Sequence, residues 1–527
     1  MKILVSDPLA SQGLEILKKE TDFQVDVKTG LSEEALCQII SDYDAMIVRS
    51  QTQVTAKLIQ ASKKLKVIAR AGVGVDNVDV EEATKRGIVV MNTPGGNTIS
   101  TAEHTFSMIM ALSRNIPQAN ASVKKGEWER KKFTGVELCG KTLGIVGLGR
   151  IGFEVAKRAM AFNMKVIAYD PFISPEKMSK HDIEATGLDA IYERSDYITV
   201  HTPLTRETEK LVSTAAFEKM KKGVRIINCA RGGVVDEGAL CQFIQSGKVA
   251  GAALDVFENE PPKDHPLLKL DRVIATPHLG AATEEAQVSV AVEVAHQVIQ
   301  ALKKGVMINA VNAPAMDSEV MKQLGPYLYL GEKLGLLLAQ LITGSIREIS
   351  VRYTGTVSEL DVKPISLSVL KGILGHALQE SVNFVNAPLL ARGRGIEVTE
   401  SKSTIAQDFA DLIAVEARTD GKVYSIEGTL FGTRKESRVV RMNGYHVDAV
   451  PLGYLLVLSN EDKPGLVAGV SSILGRNHIN IAGMTVGRNI VGGQAVTVMN
   501  VDSSIPENVL KELAKVIHVL DVKMVVL

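Results

Sequence analysis

Several features that would indicate particular classes of protein are missing from this chain of 527 residues. Its four cysteines are scattered and form no C-x-x-C pair, which argues against a zinc site and fits a reducing compartment. The 60 acidic residues balance the 60 basic ones, so the overall charge favours neither nucleic acid nor a membrane surface. No apolar run approaches the ~20 residues that span a bilayer, and the opening segment is too short for the apolar core of a signal peptide. We therefore expect a soluble cytoplasmic protein of several domains that has no metal site.

The strongest motif lies between Thr142 and Asp170. An apolar run, Thr142–Gly147, predicts a buried strand and leads directly into a G-x-G-x-x-G sequence, Gly147–Gly152. A second apolar run, Lys165–Asp170, ends on an acidic residue. Between the two runs, apolar residues recur at the spacing of one helix face: Ile151, Val155, Ala159 and Phe162.

This strand–turn–helix–strand pattern is typical of a dinucleotide-binding site. Gly147 permits a tight turn, Gly149 lets the backbone approach a pyrophosphate, and Gly152 lets the helix pack closely on the strand. Asp170 can accept both ribose hydroxyls and would repel a 2′-phosphate, which indicates NAD rather than NADP. The alternative is a purely structural glycine turn, which is disfavoured because the strand, the helix and the terminal acid all lie where the motif requires them.

Residues 1–96 alternate apolar strands with helical segments, which predicts a parallel α/β domain. Arg49-Ser50 and Arg70 follow two of these strands, and Arg70 opens a glycine-rich stretch. Arginines at such strand ends are well placed to bind an anion, although each has the alternative of being merely solvated. The predicted strands are Lys2–Ser6, Ala45–Val48, Lys66–Ala69 and Ile88–Asn92.

Two long helices are predicted to connect this first domain with the dinucleotide-binding domain. A helix over Ser100–Arg114 carries the chain out of the first domain, and a helix over Thr283–Lys304 returns it. We therefore predict a discontinuous first domain made of residues 1–96 and 283–314, with the NAD-binding domain occupying residues 97–282.

Three candidates for chemistry lie in successive loops of the second domain, at the strand ends where a doubly wound sheet binds its ligand: Arg231, Glu260 and His278. A histidine is a suitable general base near neutral pH, a neighbouring carboxylate orients it, and an arginine holds a substrate carboxylate. Each also has a simpler interpretation: His278 as a histidine in a turn, Glu260 as an exposed loop acid, and Arg231 as a cation at the start of a helix. Their shared position beside the dinucleotide motif favours catalysis.

The C-terminal part of the chain predicts two further units. Residues 315–450 have an α/β pattern without a glycine motif, and we find no catalytic constellation there. Residues 451–527 predict the element order βαββαβ, which is the ferredoxin-like plan.

Over its whole length the sequence resembles the D-2-hydroxyacid dehydrogenase family. The N-terminal stretches Val48–Ser50 and Arg70–Asn77 narrow the resemblance to the members that act on D-3-phosphoglycerate. The C-terminal half resembles the intervening (allosteric substrate-binding) domain and the ACT domain of their long form. The resemblance implies an α/β fold in which a doubly wound Rossmann NAD-binding domain is inserted in a flavodoxin-like substrate domain. Besides the glycine motif, it is carried by Asn228-Cys229-Ala230-Arg231-Gly232-Gly233, Asn259-Glu260-Pro261-Pro262 and Pro277-His278-Leu279-Gly280-Ala281.

The resemblance also implies roles for individual residues. Arg231, Glu260 and His278 correspond to the catalytic residues. Arg49, Ser50 and Arg70 correspond to substrate-binding positions, and an effector site would involve Asn460, Asp462 and Asn480. The glycine motif and the resemblance together predict the residues that contact NAD. These are Gly147, Gly149, Arg150, Ile151, Gly152, Asp170, Thr202, Pro203, Cys229, Ala230, Arg231, Asp255, His278 and Gly280.

The activity implied is the NAD-dependent oxidation of D-3-phosphoglycerate to 3-phosphooxypyruvate in serine synthesis, by a homo-oligomer (a dimer or a tetramer) with L-serine as a candidate effector. Two alternatives stay open. One is a dehydrogenase for an unphosphorylated D-2-hydroxyacid, and the other is an NAD-sensing scaffold that uses the same fold without catalysis.

Overall fold

A computed structural model describes residues 1–314, 318–378, 381–406 and 408–527, which form four β-sheets with their own helices. Two parallel sheets come first and two mainly antiparallel sheets follow, so the predicted α/β fold class is confirmed. The predicted boundary at residue 315 lies outside the described residues. No helix among the described residues is long and apolar enough to cross a membrane.

The first sheet is parallel, with the strand order β2-β1-β3-β4-β5 that is typical of flavodoxin-like domains. The edge strand β2 was not predicted, because its polar residues Gln24 and Asp26 interrupt the apolar run. The other strands are within one residue of the predicted bounds. The elements are β1 (Lys2–Val5), α1 (Ser11–Lys19), β2 (Gln24–Val27), α2 (Glu33–Ile39), β3 (Ala45–Val48), α3 (Ala56–Ala61), β4 (Val67–Arg70), α4 (Val80–Lys85) and β5 (Val89–Asn92).

The second sheet has seven parallel strands in the order β12-β11-β10-β9-β6-β7-β8. The direction of winding reverses between β6 and β9, and doubly wound sheets bind ligands at the carboxyl ends of strands beside such a reversal. The elements are α5 (Thr98–Arg114), α6 (Ile116–Lys124), β6 (Thr142–Val146), α7 (Arg150–Ala161), β7 (Lys165–Tyr169), α8 (Pro175–Ser179), β8 (Glu184–Ala185), α9 (Leu188–Arg194), β9 (Tyr197–Val200), α10 (Thr214–Lys219), β10 (Val224–Asn228), α11 (Glu237–Gln245), β11 (Val249–Leu254) and β12 (Val273–Ala275).

Helix α12 (Glu284–Lys304) returns the chain to the first sheet, as predicted. Its buried residues Val290, Val294 and Val298 belong to the apolar core of that sheet. A Cβ at Gly13 of α1 would lie 2.5 Å from the Ala291 carbonyl oxygen, so the two helices approach at a position that only glycine permits. The predicted boundaries near residues 96 and 283 stay predictions.

The third sheet has the order β14-β13-β15-β16-β17-β18, and only β13 and β14 are parallel. Helices α13 (Ser318–Leu341) and α14 (Lys363–Ala377) cover this sheet. They cross closely, since a Cβ at Gly335 of α13 would overlap the Val369 carbonyl of α14. Helices α14 and α15 and strands β14 and β15 were not predicted. The elements are α13 (Ser318–Leu341), β13 (Ile346–Gly355), α14 (Lys363–Ala377), α15 (Ala387–Gly393), β14 (Glu397–Ser403), β15 (Asp411–Thr419), β16 (Val423–Phe431), β17 (Glu436–Met442) and β18 (Tyr445–Ala449).

The fourth sheet, in the antiparallel order β20-β21-β19-β22, confirms the ferredoxin-like plan. Side chains alternate along β19: Leu456 and Leu458 pack on the helices of this unit, while Leu455 and Val457 join the core of the third sheet. The elements are β19 (Tyr454–Glu461), α16 (Leu466–Arg476), β20 (Ile481–Arg488), β21 (Gln494–Val501), α17 (Glu507–Leu513) and β22 (Val519–Val526).

Polar contacts also join the third and fourth sheets. The Gln340 side chain at the end of α13 donates to the Val526 carbonyl and accepts from the Val526 amide, both at 2.9 Å. The two sheets therefore share one apolar core and a hydrogen-bonded seam.

Candidate active site

The glycine motif forms the turn between β6 and α7. Gly147 has φ +93°, and a Cβ there would lie 2.7 Å from the His201 carbonyl oxygen. A Cβ at Gly152 would overlap the Gly147 carbonyl, so helix and strand are in direct contact. Gly149 has no heavy atom within 4 Å of its Cβ position, which leaves the backbone open to a ligand. These three observations fit the roles predicted for the glycines.

Helix α7 buries the face that the spacing predicts, with one exception. Val155 and Ala159 have no exposed surface, and Ala156 joins them in the core. Phe162 was predicted to continue this face, but it lies at the helix C-terminus and is 44% exposed. It contacts Phe106 of α5 at a ring distance of 4.9 Å instead.

Asp170 follows β7 directly and holds the glycine turn in place. One carboxylate oxygen accepts from the Leu148 amide and the other from the Phe172 amide, both at 2.8 Å. The Thr202 hydroxyl after β9 is buried and has no partner among the described residues. An open backbone, an acid at the second strand end and an unpaired hydroxyl together fit a dinucleotide.

The other residues predicted to contact NAD also lie at the carboxyl ends of these strands. Arg150 and Ile151 begin α7, Pro203 follows β9, and Cys229 and Ala230 follow β10. Burial raises the pKa of the Cys229 thiol to about 12, which keeps it neutral and unreactive. No group of three or more metal-ligating side chains occurs in the described part of the chain.

His278 and Glu260 form a hydrogen-bonded pair although their loops are separated in the sequence. The His278 Nδ1 lies 2.8 Å from the Glu260 Oε2, and both side chains are about half exposed. The second oxygen of Glu260 accepts from the Phe257 amide at 3.2 Å. Burial alone would raise the pKa of Glu260, but the hydrogen bond and charge of His278 outweigh it and lower that pKa.

A strained turn built on Asp255 presents His278 to the cleft. His278 has φ +55°, an uncommon value for a residue with a side chain. Asp255 is 1% exposed and accepts from the amides of Leu279 at 2.7 Å and Gly280 at 2.8 Å. Its Oδ1 also lies 3.1 Å from the His104 Nε2. Burial would raise the pKa of Asp255, but the contacts with His104 and the other donors lower it to about 2.

Arg231 connects the two domains that are built on parallel sheets. Its Nε donates to the Asp76 carboxylate at 3.0 Å, and its Nη1 donates to the Ala230 carbonyl at 2.7 Å. A Cβ at Gly74 would overlap the remaining nitrogen, Nη2, so the first-domain loop lies directly against the guanidinium. The side chain is therefore held from both sides.

The predicted substrate-binding and catalytic residues line one cleft of about 720 Å³ between the two parallel sheets. Arg70 lies deep in it, where its Nε donates to the Arg49 carbonyl at 3.3 Å and its Nη1 to the Gly74 carbonyl. Burial, with the charge of Arg231, lowers the pKa of Arg70 to about 10, so it stays a cation at neutral pH. The cleft thus brings together Arg49, Ser50, Arg70, Arg231, Glu260 and His278.

Sequence reasoning missed several residues that shape this site. Asp76 contacts Arg231, which is 155 positions away in the sequence. The His104 ring contacts the hydroxyl of Thr276, which is 172 positions away. Glu237 supports the Glu260 loop from behind. Asp76 stands in the glycine-rich stretch after Arg70, which was the one signal available; the others show no local pattern.

The residues of the predicted effector site are each engaged in separate contacts. Asn460 is fully buried, and its carbonyl accepts from the Thr497 hydroxyl at 2.9 Å, so it presents no surface to solvent. Asp462 accepts from Arg488 at 2.7 Å, and Asn480 donates to Asp502 at 2.8 Å. Their role as an effector site stays a prediction.

Three family models match the parts of the chain that form its second, third and fourth sheets. They are "D-isomer specific 2-hydroxyacid dehydrogenase, NAD binding domain" over residues 106–280, "D-3-phosphoglycerate dehydrogenase intervening domain" over 323–443, and "ACT domain" over 454–518. Among solved structures, D-lactate dehydrogenase from Aquifex aeolicus, complexed with NAD and lactic acid, is 31% identical with a TM-score of 0.53. That alignment covers 60% of this chain and 100% of the other. A glyoxylate reductase from Paecilomyes thermophila is 32% identical with a TM-score of 0.54, over 59% of this chain and 98% of the other.

Similarity to curated relatives extends over the whole chain. D-3-phosphoglycerate dehydrogenase from Archaeoglobus fulgidus is 45% identical over 99% of both chains. The enzyme of that name from Methanocaldococcus jannaschii is 44% identical over 100% of this chain and 99% of its own. The one from Bacillus subtilis is 43% identical over 99% of both. With the glycine motif, the His278–Glu260 pair and the intervening and ACT domains in one chain, this protein belongs to the D-3-phosphoglycerate dehydrogenase family.

Proposed function

We propose that this protein oxidises D-3-phosphoglycerate to 3-phosphooxypyruvate with NAD, the first step of serine synthesis by the phosphorylated route. The observation that carries the proposal is one cleft in which the His278–Glu260 pair faces three guanidinium groups. Guanidinium groups suit both ends of a substrate that has a carboxylate at one end and a phosphate at the other.

We assign the roles from the charge and the position of the side chains that line the cleft. The glycine turn and Asp170 would hold NAD, which when bound would supply the acceptor for the hydride that leaves C2 of the substrate. Since Glu260 occupies the Nδ1 of His278, the free Nε2 takes the proton of the C2 hydroxyl as the carbonyl forms. Arg231 binds the substrate carboxylate, and Arg49 and Arg70 bind the phosphate.

The test is an NADH absorbance assay with D-3-phosphoglycerate beside D-glycerate and D-lactate. We expect kcat/KM for the phosphorylated substrate to be higher by ~100-fold, because charge-assisted contacts to the phosphate are each worth roughly 1.5–3 kcal/mol. Equal values for D-glycerate would indicate a dehydrogenase for an unphosphorylated acid. Absence of NADH with every acid would indicate a non-catalytic scaffold.

On cofactor choice, we expect kcat/KM to be higher with NAD than with NADP by ~100-fold. The 2′-phosphate of NADP would be repelled by the Asp170 carboxylate. It would also replace the ribose 2′-hydroxyl that donates a hydrogen bond to Asp170 in NAD. The measurement compares both cofactors in the unaltered enzyme and in Asp170→Asn, which removes the charge but keeps one acceptor for the glycine turn. Comparable values for the two cofactors in the unaltered enzyme would contradict this assignment.

For the catalytic pair, we expect Glu260→Gln to move the acid limb of the kcat/KM profile for oxidation to lower pH. The negative charge of Glu260 lies 2.8 Å from the His278 Nδ1 and favours a bound proton in the pair, so removing that charge moves the acid limb to lower pH. The profile is recorded between about pH 5 and 9. Glu209→Gln, at an exposed carboxylate after β9, is the matched control, and an unmoved acid limb in Glu260→Gln would refute the coupling.

We further propose that the protein is a cytoplasmic homo-oligomer whose ACT domain binds L-serine. Unpaired cysteines fit a reducing compartment, and the edge strand β20 exposes Met484 and Val486, which suits contact with a second copy. The Asp462 carboxylate could pair with the amino group of serine.

Millimolar L-serine is accordingly expected to inhibit the unaltered enzyme and to have little effect on Asp462→Ala. Binding changes activity only if serine has different affinities for two states of the enzyme. Asp521→Ala, at an exposed position of β22, is the control. If serine neither inhibits the enzyme nor binds it in calorimetry, the ACT domain serves assembly alone.

A further inference from the structure

Glu237 is a buried carboxylate directly behind the loop that carries Glu260. It is the first residue of α11 and only 7% exposed, whereas the preceding Asp236 already caps the helix. Its Oε1 accepts from the Glu258 amide at 2.7 Å, and its Oε2 lies 2.9 Å from the His265 Nε2. The side chain therefore faces the loop rather than its own helix end.

The hydrogen-bond pattern fixes which groups donate to Glu237. The Leu267 amide donates to the His265 Nδ1 at 3.3 Å, so that nitrogen carries no proton and the ring proton is on Nε2. Glu237 thus receives two N–H donors, one on each oxygen. A carboxylate can accept both, whereas a glutamine would turn its own N–H₂ toward one of them.

The hydrogen bond between Glu237 and the Glu258 amide lies close to the His278–Glu260 pair, because Glu260 is only two positions after Glu258. Glu258 is followed closely by Glu260, whose Oε1 accepts from the Phe257 amide and whose Oε2 contacts His278. On the other side of the loop, a Cβ at Gly232 would overlap the Phe257 carbonyl, so the loop backbone also packs against the turn after Arg231. The loop has one packed side and one side that Glu237 holds by a hydrogen bond.

We propose that Glu237, fixed by His265, is a positioning residue that holds the Phe257–Glu260 loop and so keeps Glu260 against His278. The inference rests on the proposed function, because it assigns Glu237 a part in orienting the proposed general base. Glu237 acts through Glu260 and touches neither substrate nor cofactor.

The test is Glu237→Gln in the full-length enzyme. We expect kcat for oxidation to fall by about 10-fold, because one buried N–H loses its acceptor. The KM for NAD should not change, and the acid limb of the pH profile should move to lower pH, as in Glu260→Gln. Glu507→Gln, which also removes an acid at the first position of a helix but lies exposed on α17, is the matched control and should leave all three unchanged.

A double variant separates positioning from general destabilisation. If Glu237 acts through Glu260, the effects overlap, and Glu237→Gln should reduce kcat little further in a Glu260→Gln background. Effects that multiply in the double variant would overturn the proposal. A partial rescue is expected on adding His265→Gln, whose carbonyl can accept from the new N–H₂ group. Should Glu237→Gln not fold, His265→Asn alone, which alters only one of the two donors, must show the same pH shift in smaller degree.

A readout without turnover keeps the two proposals apart. NMR titration of the His278 ring in the unliganded protein should respond to Glu237→Gln and not to Glu507→Gln. That response in a protein that oxidises no hydroxyacid would overturn the proposed function and retain the positioning role. An unchanged His278 titration together with an unchanged kcat would overturn the positioning role alone.

Discussion

Replacing His278 with alanine is expected to lower kcat by ~10²–10⁴-fold, the range for removal of a positioned proton acceptor, while NAD affinity changes little. Among the described residues that line the cleft, the His278 imidazole alone combines a free ring nitrogen with a carboxylate partner, Glu260. The glycine turn lies on other strands and does not depend on this side chain.

Measurement combines steady-state kinetics with an independent determination of the NAD dissociation constant. Since residue 278 has a positive φ, His278→Asn is a second variant that tolerates this backbone conformation better than alanine. Both variants should show the same loss of turnover if the imidazole is the cause. His446→Ala, at an exposed position of β18, controls for loss of a histidine elsewhere, and near-normal turnover of both His278 variants would refute the assignment.

Arg231→Gln is expected to lower kcat/KM for D-3-phosphoglycerate by ~10²–10³-fold, mainly through KM. Truncating one partner of a buried charge-assisted pair costs roughly 2–5 kcal/mol, and two of the three guanidinium nitrogens are already fixed by Asp76 and Ala230. The side chain is thus preorganised, and little entropy is lost when the substrate binds.

Arg231→Lys distinguishes geometry from charge. Lysine keeps the cation but cannot form the planar fork, so we expect a KM between those of the unaltered enzyme and Arg231→Gln. Arg206→Gln, in an exposed loop after β9, provides the control. An unchanged KM for D-3-phosphoglycerate in Arg231→Gln would show that another group binds the carboxylate.

The parts of the fold and site that local patterns specify could be predicted from the sequence. The β6–α7–β7 unit needs glycines at fixed offsets, so its position and geometry follow from a short motif. The three proposed catalytic residues could be predicted to lie together because loops at the carboxyl ends of parallel strands converge, and the cleft does contain Arg231, Glu260 and His278.

What could not be predicted depends on contacts between distant segments. The edge strand β14 is mostly exposed and carries polar residues, so no apolar run announced it. Asn460 has an amide side chain suited to a ligand, but the sheet buries it against Thr497. Asp255 was expected to contact NAD, yet its two oxygens also hold the turn that presents His278, a role that only the folded backbone reveals.

The common core of the third and fourth sheets limits how the C-terminal part can be dissected. Leu455 and Val525 of the fourth sheet pack in the same cluster as Leu337 and Leu341 of α13. Cutting the chain after Val450 would leave the α13 side chains facing water as a contiguous apolar surface, which invites aggregation. The described residues between 318 and 527 should exchange their amide hydrogens and unfold as one cooperative block rather than as two. In a truncated enzyme, loss of effector binding could not be separated from destabilisation of the third sheet. Single substitutions therefore test this half of the chain better than deletions do.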